Sequence, residues 1–185
     1  VSDQRAIINL DPMDPVVLAG GKRRTVILGL KDPGEAVRAV PSLLADGVGS
    51  IELCGGFGPL AAAPVVEAVA GRVPVGLAMF GMESLTSVAA YKARAEAGEA
   101  MTAAFIVIVP GTDPRTDRVV REHEGGRALF VAVPEESAAP EVAADLLASE
   151  GVELIELYGG FSPTGAARVI EAVDAAIPIG LAARA

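Results

Sequence analysis

Short apolar runs rich in β-branched residues, each closed by Gly, Pro, Asn or Asp, alternate along this chain with Ala-rich stretches of helical spacing. The runs predict strands at 6–10, 25–30, 50–54 and 73–79, and again at 103–109, 128–133, 154–158 and 177–182. Several are apolar at consecutive positions, the pattern of parallel strands covered on both faces. Between them, 33–46 sets Ala36, Val37, Val40, Leu43 and Leu44 on one stripe, and 84–97 does the same with Leu85, Val88 and Ala89 behind Ser84 as N-cap. Helices over 59–70 and 163–175 open on Pro, which costs nothing at a first turn whose N–H is unpaired anyway. The stretches 114–124 and 140–149 read as the remaining helices of the second set. The segment 11–21, with two Asp-Pro pairs and a Gly-Gly, reads as a loop or a very short helix.

The strands fall into two sets because the chain repeats itself. Residues 47–80 recur at 151–184, displaced by 104 positions without a gap and identical at 19 of 34. This predicts one domain over 1–185 with internal repeats 1–99 and 100–185. Strand–helix–strand units are right-handed, and eight in series close most economically into a compact (β/α)8 TIM barrel built from two (β/α)4 half-barrels. At about 23 residues per unit the barrel is small against the roughly 250 residues usual for the fold. The alternative is an open doubly wound Rossmann- or flavodoxin-like sheet, but two similar halves lack the crossover that reverses its strand order. Separate flavodoxin-like lobes of half this length bury little surface each.

Composition narrows the partners. Apolar residues make up 51% of the chain and aromatics 4%, leaving few rings to stack on bases. A net charge of -9 disfavours nucleic-acid backbones and anionic membranes, both of which select clustered Lys and Arg. No apolar run approaches the roughly 18–20 residues of a membrane span. The opening residues Val1 to Arg5 show no basic region leading into an apolar one, so cytoplasm is the expected location. A single cysteine, Cys54, excludes an intrachain disulfide.

Candidate chemistry centres on Glu52 and Glu156, equivalent in the two copies. Their neighbours Ile51, Leu53, Ile155 and Leu157 share one face, so alternation sends both carboxylates into the barrel, where strands three and seven contribute to one layer. Two carboxylates near each other raise at least one pKa, the preparation a general acid or base needs. A salt-bridge network fits the same pattern, with Arg24, Arg127 or Arg23, the exact counterpart of Arg127, reaching inward. Each glutamate precedes a glycine turn, Gly55-Gly56-Phe57 or Gly159-Gly160-Phe161, that leads into a helix. Glycines at a helix start let a small phosphate or carboxylate touch backbone N–H groups, or they simply make a tight turn with the phenylalanines plugging the barrel. Asn9 and Arg184, at the ends of the first and last strands, are further ligand candidates.

Other strand-end polar groups, Asp11, Asp14, Lys31, Asp32 and Asp113, read as loop and cap residues. His123, the only histidine, is expected on the surface of a helix, which excludes a multi-histidine zinc site. Cys54 faces inward without a histidine and reads as a small buried hydrophobe. No phosphate-loop or dinucleotide fingerprint follows any strand, so neither a nicotinamide nor a flavin dinucleotide is expected. No metal site is assigned.

From Ile51 to Gly58, and again from Ile155 to Phe161, the chain resembles a family of short bacterial proteins of unknown function about half this length. The second copy resembles it throughout, from Ala104-Phe105-Ile106-Val107 and Pro110-Gly111-Thr112-Asp113-Pro114 to Ile177-Pro178-Ile179-Gly180. The first copy departs at 11–21. The resemblance implies duplication, and half-length members imply that two pieces pair to complete one barrel. Similar members end the fourth strand in an arginine before a phenylalanine, whereas here Met79 precedes Phe80 and Ala183 precedes Arg184. Two functions are expected from these residues. One is binding or lyase/isomerase-type turnover of a small anionic molecule at the C-terminal barrel face, with the glutamates moving protons. The other is a non-catalytic scaffold or assembly protein with a buried charge network. Monomer and homo-oligomer are both open.

Overall fold

The computed structural model describes residues 4–183 as one ten-stranded sheet curled into a nearly closed barrel with five α-helices outside it. The first half runs β1 (Gln4–Asn9), β2 (Met13–Gly20), β3 (Arg23–Gly29), α1 (Pro33–Ala45), β4 (Ser50–Leu53), α2 (Gly58–Val69) and β5 (Val75–Phe80). A linker helix, α3 (Leu85–Glu96), leads to the second half: β6 (Met101–Ile108), β7 (Arg118–His123), β8 (Gly126–Val133), α4 (Ala139–Glu150), β9 (Leu154–Tyr158), α5 (Pro163–Ala172) and β10 (Ile179–Ala183). The sheet order is β2-β3-β1-β4-β5-β10-β9-β6-β8-β7. Its end strands β2 and β7 lie side by side without a ladder, bridged where Arg121 Nη2 donates to the Pro15 carbonyl at 3.5 Å.

This architecture corrects both fold expectations. A (β/α)8 barrel is parallel throughout, whereas here β2–β3, β7–β8 and β5–β10 pair antiparallel. An open doubly wound sheet is excluded by the curl that brings β2 to β7. The two additional strands stand where a loop and a helix were expected. Residues 13–20 form β2 because Val16 and Leu18 are buried while Val17 and Ala19 are exposed, the period-2 pattern of a strand. Residues 118–123 form β7, not a helix, and place His123 on a sheet edge. Each joins its partner through a two-residue turn, Gly21-Lys22 and Glu124-Gly125, and Gly21 has φ +56°, which glycine adopts without strain.

The helices begin as their sequences dictate. Asp32 caps α1 by accepting from Glu35 N at 2.8 Å, and Ser162 caps α5 by accepting from Gly165 N at 3.0 Å. Pairs α1–α2 and α4–α5 cover the outside of the two halves, and none of the residues of α3 is buried. Two apolar clusters result. One lies under α4 and α5, around Ile106, Leu129, Leu146, Ile155 and Leu157. The other joins the first half to the barrel interior, where Phe105 stacks on Phe130 at 4.9 Å and on Tyr158 at 6.2 Å. Phe57 and Phe161 lie one in each cluster; Phe161 packs beneath α4 and α5 and does not plug the barrel.

The antiparallel seam between β5 and β10 decides where the chemistry sits. Ala78 pairs with Ala182, and these residues are equivalent in the repeat, so a pseudo-two-fold axis passes through them perpendicular to the strands. The parallel strands of the halves therefore run in opposite directions. No common C-terminal face exists, and each barrel end receives one glycine turn.

Candidate functional site

Strand alternation does turn Glu52 and Glu156 inward, and each is 4% exposed. They do not share a layer. Glu52 pairs with Gly76 on β5, while Glu156 pairs with Gly180, which in turn pairs with Phe80. The four residues from Gly76 to Phe80 set the carboxylates about 13 Å apart along the strand direction. Each is thereby level with the glycine turn of the opposite half.

The turns use the carboxylates as caps. Gly55 N–H donates to Glu156 Oε1 at 2.9 Å, and Gly159 N–H donates to Glu52 Oε2 at 3.2 Å. The halves thus exchange one backbone-to-carboxylate bond in each direction. Gly55 is glycine because a Cβ there would lie 2.6 Å from Glu156 Oε1 and 2.8 Å from the Phe80 ring. At Gly159, φ is +100° and a Cβ would meet Arg5 Nη1 and Ile108 N at 2.8 Å. Gly56 and Gly160 are exposed, and the bonds to the carboxylates come from Gly55 and Gly159 instead.

The ends differ in charge. Arg5 Nε lies 3.4 Å from Glu52 Oε2, and Arg5 Nη1 donates to the Ile108 carbonyl at 3.4 Å. Arg5 shares the inward parity of Ile7 and Asn9, and that parity was the signal that could have found it. Arg23 and Arg24 are exposed and Arg127 turns to Glu122 and Glu150 at 3.2 and 3.1 Å, so none of the expected arginines pairs with Glu52 or Glu156. At the other end Glu156 Oε2 accepts from the Tyr158 hydroxyl. Burial pushes the Glu156 carboxyl from 4.5 up to about 7, against the opposing pull of the Tyr158 and Gly55 bonds. Burial also drives the Tyr158 hydroxyl and the Cys54 thiol well above their ordinary values, so both stay protonated.

Asn9 is 3% exposed at the end of β1, beside Cys54, and its Nδ2 has no hydrogen-bond partner among the described residues. Arg184 lies outside the described residues. Asp32 caps α1, and Asp113 binds Arg115, whose guanidinium holds the carboxyl down at about 2. His123 Nδ1 accepts from Gly125 N at 3.2 Å. Among the described residues no three His, Cys, Asp or Glu side chains converge on a point where a metal could sit. No described helix is long and apolar enough to cross a membrane. A surface cleft of about 500 Å³, lined by neither Glu52 nor Glu156, lies between Arg115, Arg118, Glu141 and Asp145.

A second anion-accepting helix start is filled from within. Glu136 accepts from Ser162 N at 2.9 Å and Ser162 Oγ at 3.0 Å, placing its carboxylate at the start of α5. These bonds hold the Glu136 carboxyl below its usual value.

Fold and site together define a fused, pseudo-two-fold α/β barrel whose halves cap each other's turns. The chain belongs to a family of unknown function (DUF6506), which matches it twice, over residues 10–93 and 101–184. No curated protein matches it. Similar solved structures include a carbohydrate transporter from Acidothermus cellulolyticus in complex with myo-inositol, at 14% identity, covering 94% of this chain and 70% of that one, with TM-score 0.32. A conserved domain protein from Vibrio cholerae is similar at 8% identity, 97% and 73% coverage and TM-score 0.30. An NtrC family transcriptional regulator from Clostridium acetobutylicum is similar at 11% identity, 94% and 96% coverage and TM-score 0.31.

Proposed function

We propose that the protein is a non-catalytic scaffold, a pair of half-barrels fused in one chain, in which Glu52 and Glu156 tie the halves together. The observation that carries this reading is the reciprocal bonding of Gly55 N–H to Glu156 and Gly159 N–H to Glu52. A general base presents an oxygen to a substrate, whereas both carboxylates are 4% exposed and spend oxygens on backbone donors. The same bonds occupy the Gly55 and Gly159 amides that an external phosphate or carboxylate would need. The test is a thermal-shift titration with inorganic phosphate and small mono- and dicarboxylates. A scaffold shows no saturable rise in Tm, while a rise that vanishes in Glu156→Gln or Glu52→Gln overturns the reading.

A second reading, small-molecule binding at the Asn9 end, is favoured by the buried and unpartnered Asn9 Nδ2. A ligand carbonyl or carboxylate oxygen accepts from that amide, and Glu156, poised near neutrality, is the group to move a proton in lyase or isomerase chemistry. Saturable binding lost in Asn9→Leu, with the fold intact by circular dichroism, selects this reading over the first.

A further inference from the structure

We propose that Glu156 makes its end of the barrel a proton-operated latch: protonated, it holds the Gly55 turn and Phe80 closed over the interior; ionised, it lets that end open while the Glu52 end stays shut. The inference deepens the reading of the glutamates as ties and rests on it.

The asymmetry is in the sequence. Arg5 pairs with Ser50 on β4, and the residue facing the equivalent Leu154 on β9 is Ala103. The cation beside Glu52 is thus replaced by a methyl group in the half that carries Glu156. Among the described residues, what faces Glu156 is neutral or acidic. Tyr158 stands on its own strand, Cys54 ends β4, Asp11 follows β1, and Tyr91 comes from α3. Full burial of Cys54 and Tyr158 and partial desolvation of Tyr91 keep the thiol and both phenols protonated, and the Asp11 charge adds repulsion. Phe80 adds an apolar wall: its ring packs within 3.1 Å of a Cβ built on Gly180, and Glu156 Cγ lies 3.2 Å from the same point. A charge placed there meets two neutral donors and, among the described residues, no counter-ion, a poor exchange for water.

The neutral carboxyl has no such penalty, so burial raises this group to about 7. The sign follows. Because the folded value is raised, the native state keeps a proton that the unfolded chain gives up from about 4.5 onward, so this group's stabilisation is complete below that and lost as pH rises through about 7. The proton leaves to solvent, and the charge left behind is relieved by admitting water. The elements able to yield are local. Phe80 is the last residue of β5 and only partly buried, and Gly55 stands in a turn. The Glu52 end has Arg5 as a permanent partner and no reason to follow.

The test uses the full chain. Carboxyl ¹³C NMR of the wild type is expected to give Glu156 a midpoint near 7. Amide exchange, corrected for its intrinsic base catalysis, is expected to show Gly55 losing protection about tenfold or more between roughly pH 5.5 and 8.5, with Gly159 unchanged. Glu156→Gln is expected to remove the pH dependence at Gly55. A midpoint below about 5, or an unchanged slope in Glu156→Gln, overturns the proposal. Gly55 protected equally at both pH values defeats the proton coupling alone, whereas Gly55 unprotected at both defeats the tie itself. The wild-type measurements stand even if the variant fails to fold.

Discussion

Gly55 and Glu156 sit in different halves of the chain, 101 residues apart, yet the backbone N–H of one bonds the carboxyl of the other at 2.9 Å. The missing side chain at Gly55 is what admits the carboxyl. Gly55→Ala is expected to destabilise the protein by about 1–3 kcal/mol, the usual cost of forcing a methyl group into a packed site. Gly56→Ala, where the nearest atom to a new Cβ is Cys54 Sγ at 3.5 Å, is expected to be nearly neutral. Urea unfolding of the two variants checks the contrast, and equal effects would mean that the turn itself, not the contact, demands glycine.

Arg5 answers for the charge on Glu52. Arg5→Met leaves that carboxylate buried with a partner lost, a change that typically costs about 3–5 kcal/mol. Adding Glu52→Gln to Arg5→Met is expected to restore much of the loss, because the uncompensated charge goes with it. A double-mutant cycle measures the coupling; strict additivity would show that the pair does not act as a unit.

The Tyr158 hydroxyl lowers the proton affinity of Glu156 by donating to its carboxylate. Tyr158→Phe is therefore expected to move the carboxyl midpoint upward from about 7. NMR titration reads this directly. A downward movement would place the dominant hydrogen bond on the neutral carboxyl.

Glu136 carries the opposite pH signature. Its carboxyl is held low by Ser162, so its contribution is present above the ordinary glutamate range and is lost as pH falls through the depressed value. Glu136→Gln is expected to lower Tm at neutral pH and to converge with the wild type in acid. Parallel melting curves for both proteins across pH would remove the carboxylate from the account of α5.

Helix α3 joins the halves without burying a residue. Cutting the chain at an inserted protease site beside Gly98 is expected to leave the fragments associated, since the β5–β10 ladder and the two glutamate ties do not pass through the linker. Size-exclusion chromatography after cleavage decides it; fragments that separate without denaturant would make the linker essential.

Much of this was readable in advance, and the misses have physical causes. All eight expected strands form, because apolar runs bounded by turn residues are a strong local signal. Strand β2 escaped because Asp-Pro pairs mask the alternation of Val16 and Leu18 with Val17 and Ala19. Strand β7 escaped because Arg118 to His123 is polar enough to pass for a helix, and its pairing with β8 settles its state. The larger miss concerns orientation. A repeat maps Glu52 onto Glu156 whether the symmetry axis runs along a barrel or across it, and only the direction of β10 against β5 separates the cases. Inward-facing glutamates were legible from period 2; their separation was not, because it depends on that same pairing. Starting β1 at Ala6 instead of Gln4 hid Arg5, the one described cation beside either carboxylate.

Two identical subunits meeting at a two-fold must carry the same residue at both ends of their joint cavity. A single continuous chain is released from that rule. Joining the copies across the Ala78–Ala182 seam has allowed arginine at position 5 against alanine at 103, and cysteine at 54 against tyrosine at 158. Carrying both copies in one chain in effect turns a twin into a heterodimer, free to specialise each mouth separately.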